Sequence, residues 1–175
     1  SEPKVQVRLE KPEGWEVATS WLDLDNIHDF SNFLGSYLLA YRKDGFLKFS
    51  DKEGVVDLYW AKNQLSEKYL TSDFLLKIDS LLKSQIATFG TDKKDGRYLG
   101  IITPAKGSGG EAGYRGLLVT YDPAQISPAE AFSSGENSIV HTLSHEFFHL
   151  WQTESFSEAA PQETTPNTPE KGGDF

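Results

Sequence analysis

Residues 137–152 read NSIVHTLSHEFFHLWQ, and the rest of the chain is interpreted outward from this stretch. Its apolar residues recur at spacings of three and four, which is the period of one face of an α-helix. These residues are Ile139, Val140, Leu143, Phe147, Leu150 and Trp151. The pattern predicts an amphipathic helix that begins near Asn137 or Ser138 and runs to about Gln152.

The helix carries a His-Glu-Phe-Phe-His motif at residues 145–149. Two histidines four residues apart lie one turn apart on the same helix face, so both imidazoles can reach one ion. Zinc held by two histidines and a carboxylate keeps one position open and lowers the pKa of a bound water toward ~7. The motif therefore predicts a zinc site made by His145 and His149, with Glu146 as the general base that takes the proton of that water. The alternative is a surface helix that carries these residues by chance.

A third ligand must come from elsewhere, and Glu170 follows His149 at a spacing used by zincins whose third ligand is a glutamate. Asp174, one turn later, can accept the spare N–H of a ligating histidine and so fix its tautomer. Other carboxylates compete for the ligand role; they are Glu154, Glu158 and Glu163. The alternative for Glu170 is a solvated tail residue, because Gly172-Gly173 is poor helix sequence.

The chain contains two further histidines. His141 lies one turn before His145, and a place on the surface or behind the ligands is favoured over direct ligation. His28 has no partner in the sequence and receives no role.

Composition limits the kinds of partner. The chain has 175 residues, with 17 basic and 26 acidic side chains, and a formal net charge of −9. This acidity argues against nucleic acid and anionic membranes as partners, and no apolar run approaches the ~20 residues of a membrane span.

Without cysteine, a zinc site must consist of histidine and carboxylate ligands. Oligomeric state and compartment stay open.

The N-terminus carries no visible signal peptide. The sequence contains no methionine, not even at position 1, so we expect a processed product or a piece of a longer protein.

The remaining pattern predicts an α+β fold. Residues 1–60 are β-rich, and a helix is expected at about 73–89, capped by Ser72 and stopped by Gly90. Predicted strands include the start of 15–24, Phe46–Phe49, Val55–Trp60, Arg97–Pro104 and Gly116–Tyr121. A glycine-rich loop is expected at Lys106–Glu111. The two helices should pack on a mixed or antiparallel sheet.

Several segments together resemble the glycyl aminopeptidase family, a branch of the gluzincin metallopeptidases. The segments occur in the family's order from about residue 14 onward; they are Gly14–Thr19, Phe89-Gly90 with Arg97–Leu99, Gly109–Glu111, His145–Trp151 and Glu170–Phe175. The resemblance implies a zincin-like catalytic region at 61–175, truncated at its C-terminal helical part. Residues 1–60 would then include the end of an N-terminal β-domain.

The resemblance also implies an activity and a set of roles. The chain would be a zinc-dependent aminopeptidase that binds one Zn²⁺ through His145, His149 and Glu170 and acts on peptides with a free N-terminus. Glu111, beside Gly109 and Gly110, would hold the substrate's α-amino group, and Gly116–Tyr121 would pair with its backbone by strand addition. The alternative is a non-catalytic or incomplete binding module built on a zincin scaffold.

Overall fold

The computed structural model of the chain describes residues 3–21, 27–29, 35–52, 54–89 and 97–157. The strands are β1 (Lys4–Gln6), β2 (Trp15–Thr19), β3 (Ile27–Asp29), β4 (Leu38–Arg42), β5 (Phe46–Ser50), β6 (Val56–Ala61), β7 (Tyr98–Pro104), β8 (Gly109–Gly113) and β9 (Gly116–Tyr121). The helices are α1 (Gln64–Tyr69), α2 (Ser72–Phe89), α3 (Pro128–Ala131) and α4 (Ile139–Ser157). None of the helices described is long and apolar enough to cross a membrane.

Five strands form one mixed sheet in the order β5-β6-β7-β9-β8. The inner pairs β6–β7 and β7–β9 are parallel, and the outer pairs β5–β6 and β8–β9 are antiparallel. Two smaller antiparallel pairs, β1–β3 and β2–β4, precede this sheet in the chain. The predicted α+β class with a mixed sheet is therefore confirmed.

The long helix α4 begins where its sequence supplies a cap. The backbone N–H of His141 donates to the Ser138 hydroxyl oxygen at 3.1 Å, which satisfies one of the free donors at the helix start. The helix then runs to Ser157, beyond the predicted end at Gln152. Its buried face carries Leu143, Phe147 and Leu150 with Ile139 and Trp151, as the apolar period predicts.

Helix α2 confirms the predicted helix at 73–89, with its cap one residue earlier than expected. Ser72 is already helical, and the Thr71 hydroxyl accepts the hydrogen bond from the Phe74 backbone N–H at 3.2 Å. The residues buried from this helix are Phe74, Ile78 and Leu82. The predicted stop at Gly90 lies outside the described residues.

The sheet separates two apolar layers. On one face, alternate residues of β6, β7 and β9 pack against α2 and α4, and this layer forms the main core. On the other face, Tyr59, Leu99 and Ile101 pack against side chains of the β2–β4 pair. Successive side chains of a strand point to opposite faces, and each inner strand carries apolar residues on both, so one sheet can support two apolar layers.

Two predictions about the glycine-rich region are wrong. The segment Gly109–Glu111 is not a loop but most of strand β8, at the edge of the sheet. Strand β9 is paired on both sides, with β7 and β8, so it cannot add a substrate strand as predicted. Glycine is tolerated in β8 because an edge strand makes one ladder rather than two, and because α4 approaches its backbone closely.

The predicted division into residues 1–60 and 61–175 stays a prediction. The first segment is β-rich as expected. Strands β5 and β6, which lie largely within it, belong to the same sheet as β7–β9.

Candidate metal centre

The two motif histidines converge on the exposed side of α4. Nε2 of His145 and Nε2 of His149 are 2.9 Å apart, and the ring centroids are separated by 4.5 Å. The two ring nitrogens are therefore close enough together for both to reach one ion, and which of them donates in this contact depends on the tautomers of the two rings. This is the arrangement that the helical spacing of residues 145 and 149 predicts.

Glu146, between the two histidines, is turned toward the protein and is only 7% exposed. Its side chain lies against the backbone of Gly110 on β8. A Cβ atom at position 110 would fall 2.6 Å from Oε1 and 2.7 Å from Cδ of Glu146. Glycine at this position therefore makes the room that the carboxylate occupies.

Helix α2 holds α4 on both sides of the motif through one glutamine. Nε2 of Gln85 donates to the backbone oxygen of Ser144 at 2.9 Å, and Oε1 of Gln85 accepts from Nε1 of Trp151 at 3.2 Å. Trp151 also packs edge-on against Tyr98 of β7, with ring centroids 4.6 Å apart. These contacts fix the rotation of the helix segment that carries His145 and His149.

Tyr37 is a residue near the motif that the sequence analysis missed. Its hydroxyl donates a hydrogen bond to the backbone oxygen of Glu111 on β8 at 3.1 Å. The partners are 74 positions apart in sequence, so no local pattern connects them. The pKa of Tyr37 is raised from 10.0 to about 12. Burial is the largest cause, and the negative charges of Glu111 and Glu146 add to it. Both carboxylates therefore lie close enough to act on this phenol.

The raised pKa of Tyr37 predicts a loss of stability at high pH. The folded state holds the phenolic proton more tightly than the unfolded state, so the stabilisation is complete below pH 10 and is lost as the pH rises through about 12. We expect the difference in Tm between the wild type and Tyr37→Phe to be constant at lower pH and to fall between pH 10 and 12. Thermal unfolding across this range measures it.

Tyr69→Phe is the matched control for removing a hydroxyl, because Tyr69 stacks on Phe132 and belongs to α1. A Tm difference between the wild type and Tyr37→Phe that stays constant up to pH 12 would contradict the prediction.

The other predicted site residues lie partly inside and partly outside the described residues. Glu111 is on β8 beside Gly109 and Gly110, and its side chain is exposed. His141 is exposed on α4, and Glu154 belongs to the last turns of that helix. The remaining candidates lie outside the described residues; they are Glu158, Glu163, Glu170 and Asp174. His28 belongs to β3, whose side chains are not described.

The donor set suits zinc as far as it is described. Two imidazole nitrogens lie 2.9 Å apart, with a buried carboxylate on an intervening residue, and imidazole and carboxylate are groups that bind Zn²⁺. Among the residues in the described ranges, no three His, Asp or Glu side chains are grouped as a complete metal site. The prediction that Glu170 completes the site stays untested.

No protein-family model matches the sequence, and no curated protein matches it. The fold is similar to a solved structure, the aminopeptidase N family protein from Idiomarina loihiensis, with a TM-score of 0.57 and 16% sequence identity. The match covers 79% of this chain and 25% of that chain, so the chain spans about a quarter of the neighbour's length. At this identity the likeness concerns the fold, which is aminopeptidase-like in this coarse sense. Membership of the glycyl aminopeptidase family stays a prediction.

Proposed function

We propose that this chain is the metal-binding part of a zinc-dependent aminopeptidase. His145 and His149 would bind the metal, Glu170 would be the third ligand, and Asp174 would hold a ligand's spare N–H. The observation that carries the proposal is the 2.9 Å approach of the two Nε2 atoms beside the buried carboxylate of Glu146. The aminopeptidase-like fold of the solved neighbour supports the same class.

The residues of the chain would divide the work of peptide hydrolysis. Zinc bound there would polarise a water molecule and lower its pKa toward ~7. The carboxylate of Glu146 would accept a proton from the attacking water and pass it to the leaving amine. Because this carboxylate is buried against Gly110, it would need little reorganisation between the two transfers.

The outer edge of β8 is the place we propose for the substrate backbone. Within the described residues, β8 is paired only with β9 and forms one end of the sheet. An extended peptide can add to such an edge through main-chain hydrogen bonds, and a Cβ atom at Gly109 would meet nothing within 4 Å, so that position is open. The carboxylate of Glu111 would then bind the substrate's ammonium group, which also suits the net charge of −9.

The position of Glu146 can be tested through Gly110. In Gly110→Ala the new methyl group would displace the Glu146 side chain, and we expect kcat to fall about ten- to a hundred-fold, as for a displaced catalytic group. The Tm should fall as well, because Glu146 is buried and its side chain must shift to make room for the methyl group. Steady-state kinetics and thermal unfolding measure the two effects.

Gly135→Ala is the matched control, since Gly135 lies outside β8 and a Cβ atom there would meet only the Ser133 hydroxyl oxygen, at 3.4 Å. This variant should keep wild-type kinetics. Equal losses in the two variants would contradict the role given to the contact between Gly110 and Glu146.

The proposed activity is tested with an aminoacyl p-nitroanilide and its N-acetylated counterpart. We expect cleavage of the substrate with the free amine, loss of cleavage after treatment with a chelator, and recovery when zinc is added. Cleavage that is unaffected by the chelator, or no cleavage by zinc-loaded protein, would overturn the proposal.

One observation favours a second candidate, a non-catalytic binding module on the same scaffold. The described residues do not group three metal ligands. This candidate predicts protein that is isolated with or without bound metal and hydrolyses neither substrate, even when a downstream region is joined to it.

A further inference from the structure

We infer that Tyr37 is a positioning residue for amine recognition: by holding β8 at Glu111, its hydroxyl sets where the amino group of a peptide binds. The inference rests on the proposed function and adds to it a residue from the N-terminal part of the chain. Tyr37 lies directly before β4, on the face of the sheet opposite α4.

The backbone of Tyr37 is fixed by reciprocal hydrogen bonds with Ser20. The Tyr37 N–H donates to the Ser20 hydroxyl oxygen at 2.9 Å, and the Ser20 N–H donates to the Tyr37 carbonyl oxygen at 3.0 Å. Ser20 is fully buried, so water does not compete for these bonds. The tyrosine therefore starts from a rigid anchor between β2 and β4.

Two glycines fix the ring of Tyr37 in turn. Gly113 and Gly116 flank the turn between β8 and β9. A Cβ atom at either position would lie 2.9 Å from a ring carbon of Tyr37. The ring thus lies directly on the backbone of the turn, a close approach that a larger residue would prevent. Because both the backbone and the ring of Tyr37 are held in place, its hydroxyl is directed at the backbone oxygen of Glu111.

The contact joins the tyrosine to the catalytic side of the sheet through β8. Glu111 receives the hydrogen bond of Tyr37, and its neighbour Gly110 lies against Glu146. Tyr37 therefore contacts β8 at Glu111, and the proposed base Glu146 contacts it at the preceding residue, Gly110. Two carboxylates close to one neutral phenol form a site of negative potential, which favours a primary ammonium group over its acetylated form.

Tyr37→Phe tests the inference, with glycinamide and N-acetylglycinamide as probes on zinc-loaded protein. A hydrogen bond contributes about 0.5–1.5 kcal/mol, so we expect glycinamide binding by calorimetry to weaken about two- to tenfold. Binding of N-acetylglycinamide should not change. In kinetics with an aminoacyl p-nitroanilide, KM should rise by the same factor while kcat stays within about twofold. Tyr69→Phe, measured in parallel, should change none of these values.

A double-mutant cycle with Glu111→Gln separates positioning from a general structural effect. If Tyr37 acts through Glu111, Tyr37→Phe should cost no further glycinamide affinity in the Glu111→Gln background. Equal weakening of both probes, or an additive cycle, would overturn the inference. Wild-type protein that binds glycinamide in a Tyr37-dependent way but cleaves nothing would overturn the proposed activity and support the inference. Cleavage with an unchanged KM in Tyr37→Phe would overturn the inference alone.

Discussion

Replacing Glu146 with Gln should lower the kcat of peptide hydrolysis by about 10²–10⁴-fold, the range for a lost general base, while zinc stays bound. Glutamine has nearly the size of glutamate and fills the same space against Gly110, but its amide does not take up a proton at neutral pH. The fold should persist, because the substituted side chain keeps its packing. Steady-state kinetics and zinc content measured on one preparation give both results.

Glu136→Gln is the control for this substitution. Glu136 is an exposed glutamate shortly before α4, so its replacement makes the same change of charge away from the motif. Its kinetics should match the wild type. Glu146→Gln protein that still turns over would show that Glu146 is not the base.

The second large effect concerns stability. Phe147→Ala should lower the free energy of unfolding by about 3–5 kcal/mol, because it leaves a cavity in the core between α4 and the sheet. Phe147 is fully buried and stacks on Trp151 with ring centroids 5.8 Å apart. A domain is typically stable by about 5–15 kcal/mol, so this one change removes a large part of that stability. Urea unfolding measures it.

The neighbouring Phe148 supplies the control on the same helix. It is 42% exposed and contacts Phe89 edge-on, so Phe148→Ala should cost much less than Phe147→Ala. Similar losses from the two variants would mean that the buried face of α4 is not the one described.

The elements with a clear period were predicted well from the sequence. Both long helices follow the three- and four-residue spacing of their apolar residues, and the strands at residues 46–50, 56–61 and 116–121 are short runs next to turn residues. The order of the strands was not predictable, because the pattern within β9 is the same whether one or two neighbours pair with it. Strand β8 was missed because Gly109 and Gly110 have poor strand propensity, and the helix contact that favours glycine there is tertiary.

The candidate site likewise combines residues that the sequence could place and residues whose position depends on the tertiary structure. His145, Glu146 and His149 could be placed together from sequence because one helical turn relates them. Tyr37 could not be found in this way, since a fixed backbone and the turn between β8 and β9 bring it to Glu111. The third ligand, predicted at Glu170, depends on the path of the chain after α4.

Zinc content, measured by elemental analysis of protein purified without chelator, tests the central claim most directly. The account predicts about one zinc per chain in the wild type and in His141→Ala, whose side chain is exposed on the same helix. It predicts loss of that zinc in His145→Ala and in His149→Ala, because each removes one of the two converging nitrogens. A wild-type chain that is purified without metal and takes up none when zinc is added would contradict the account.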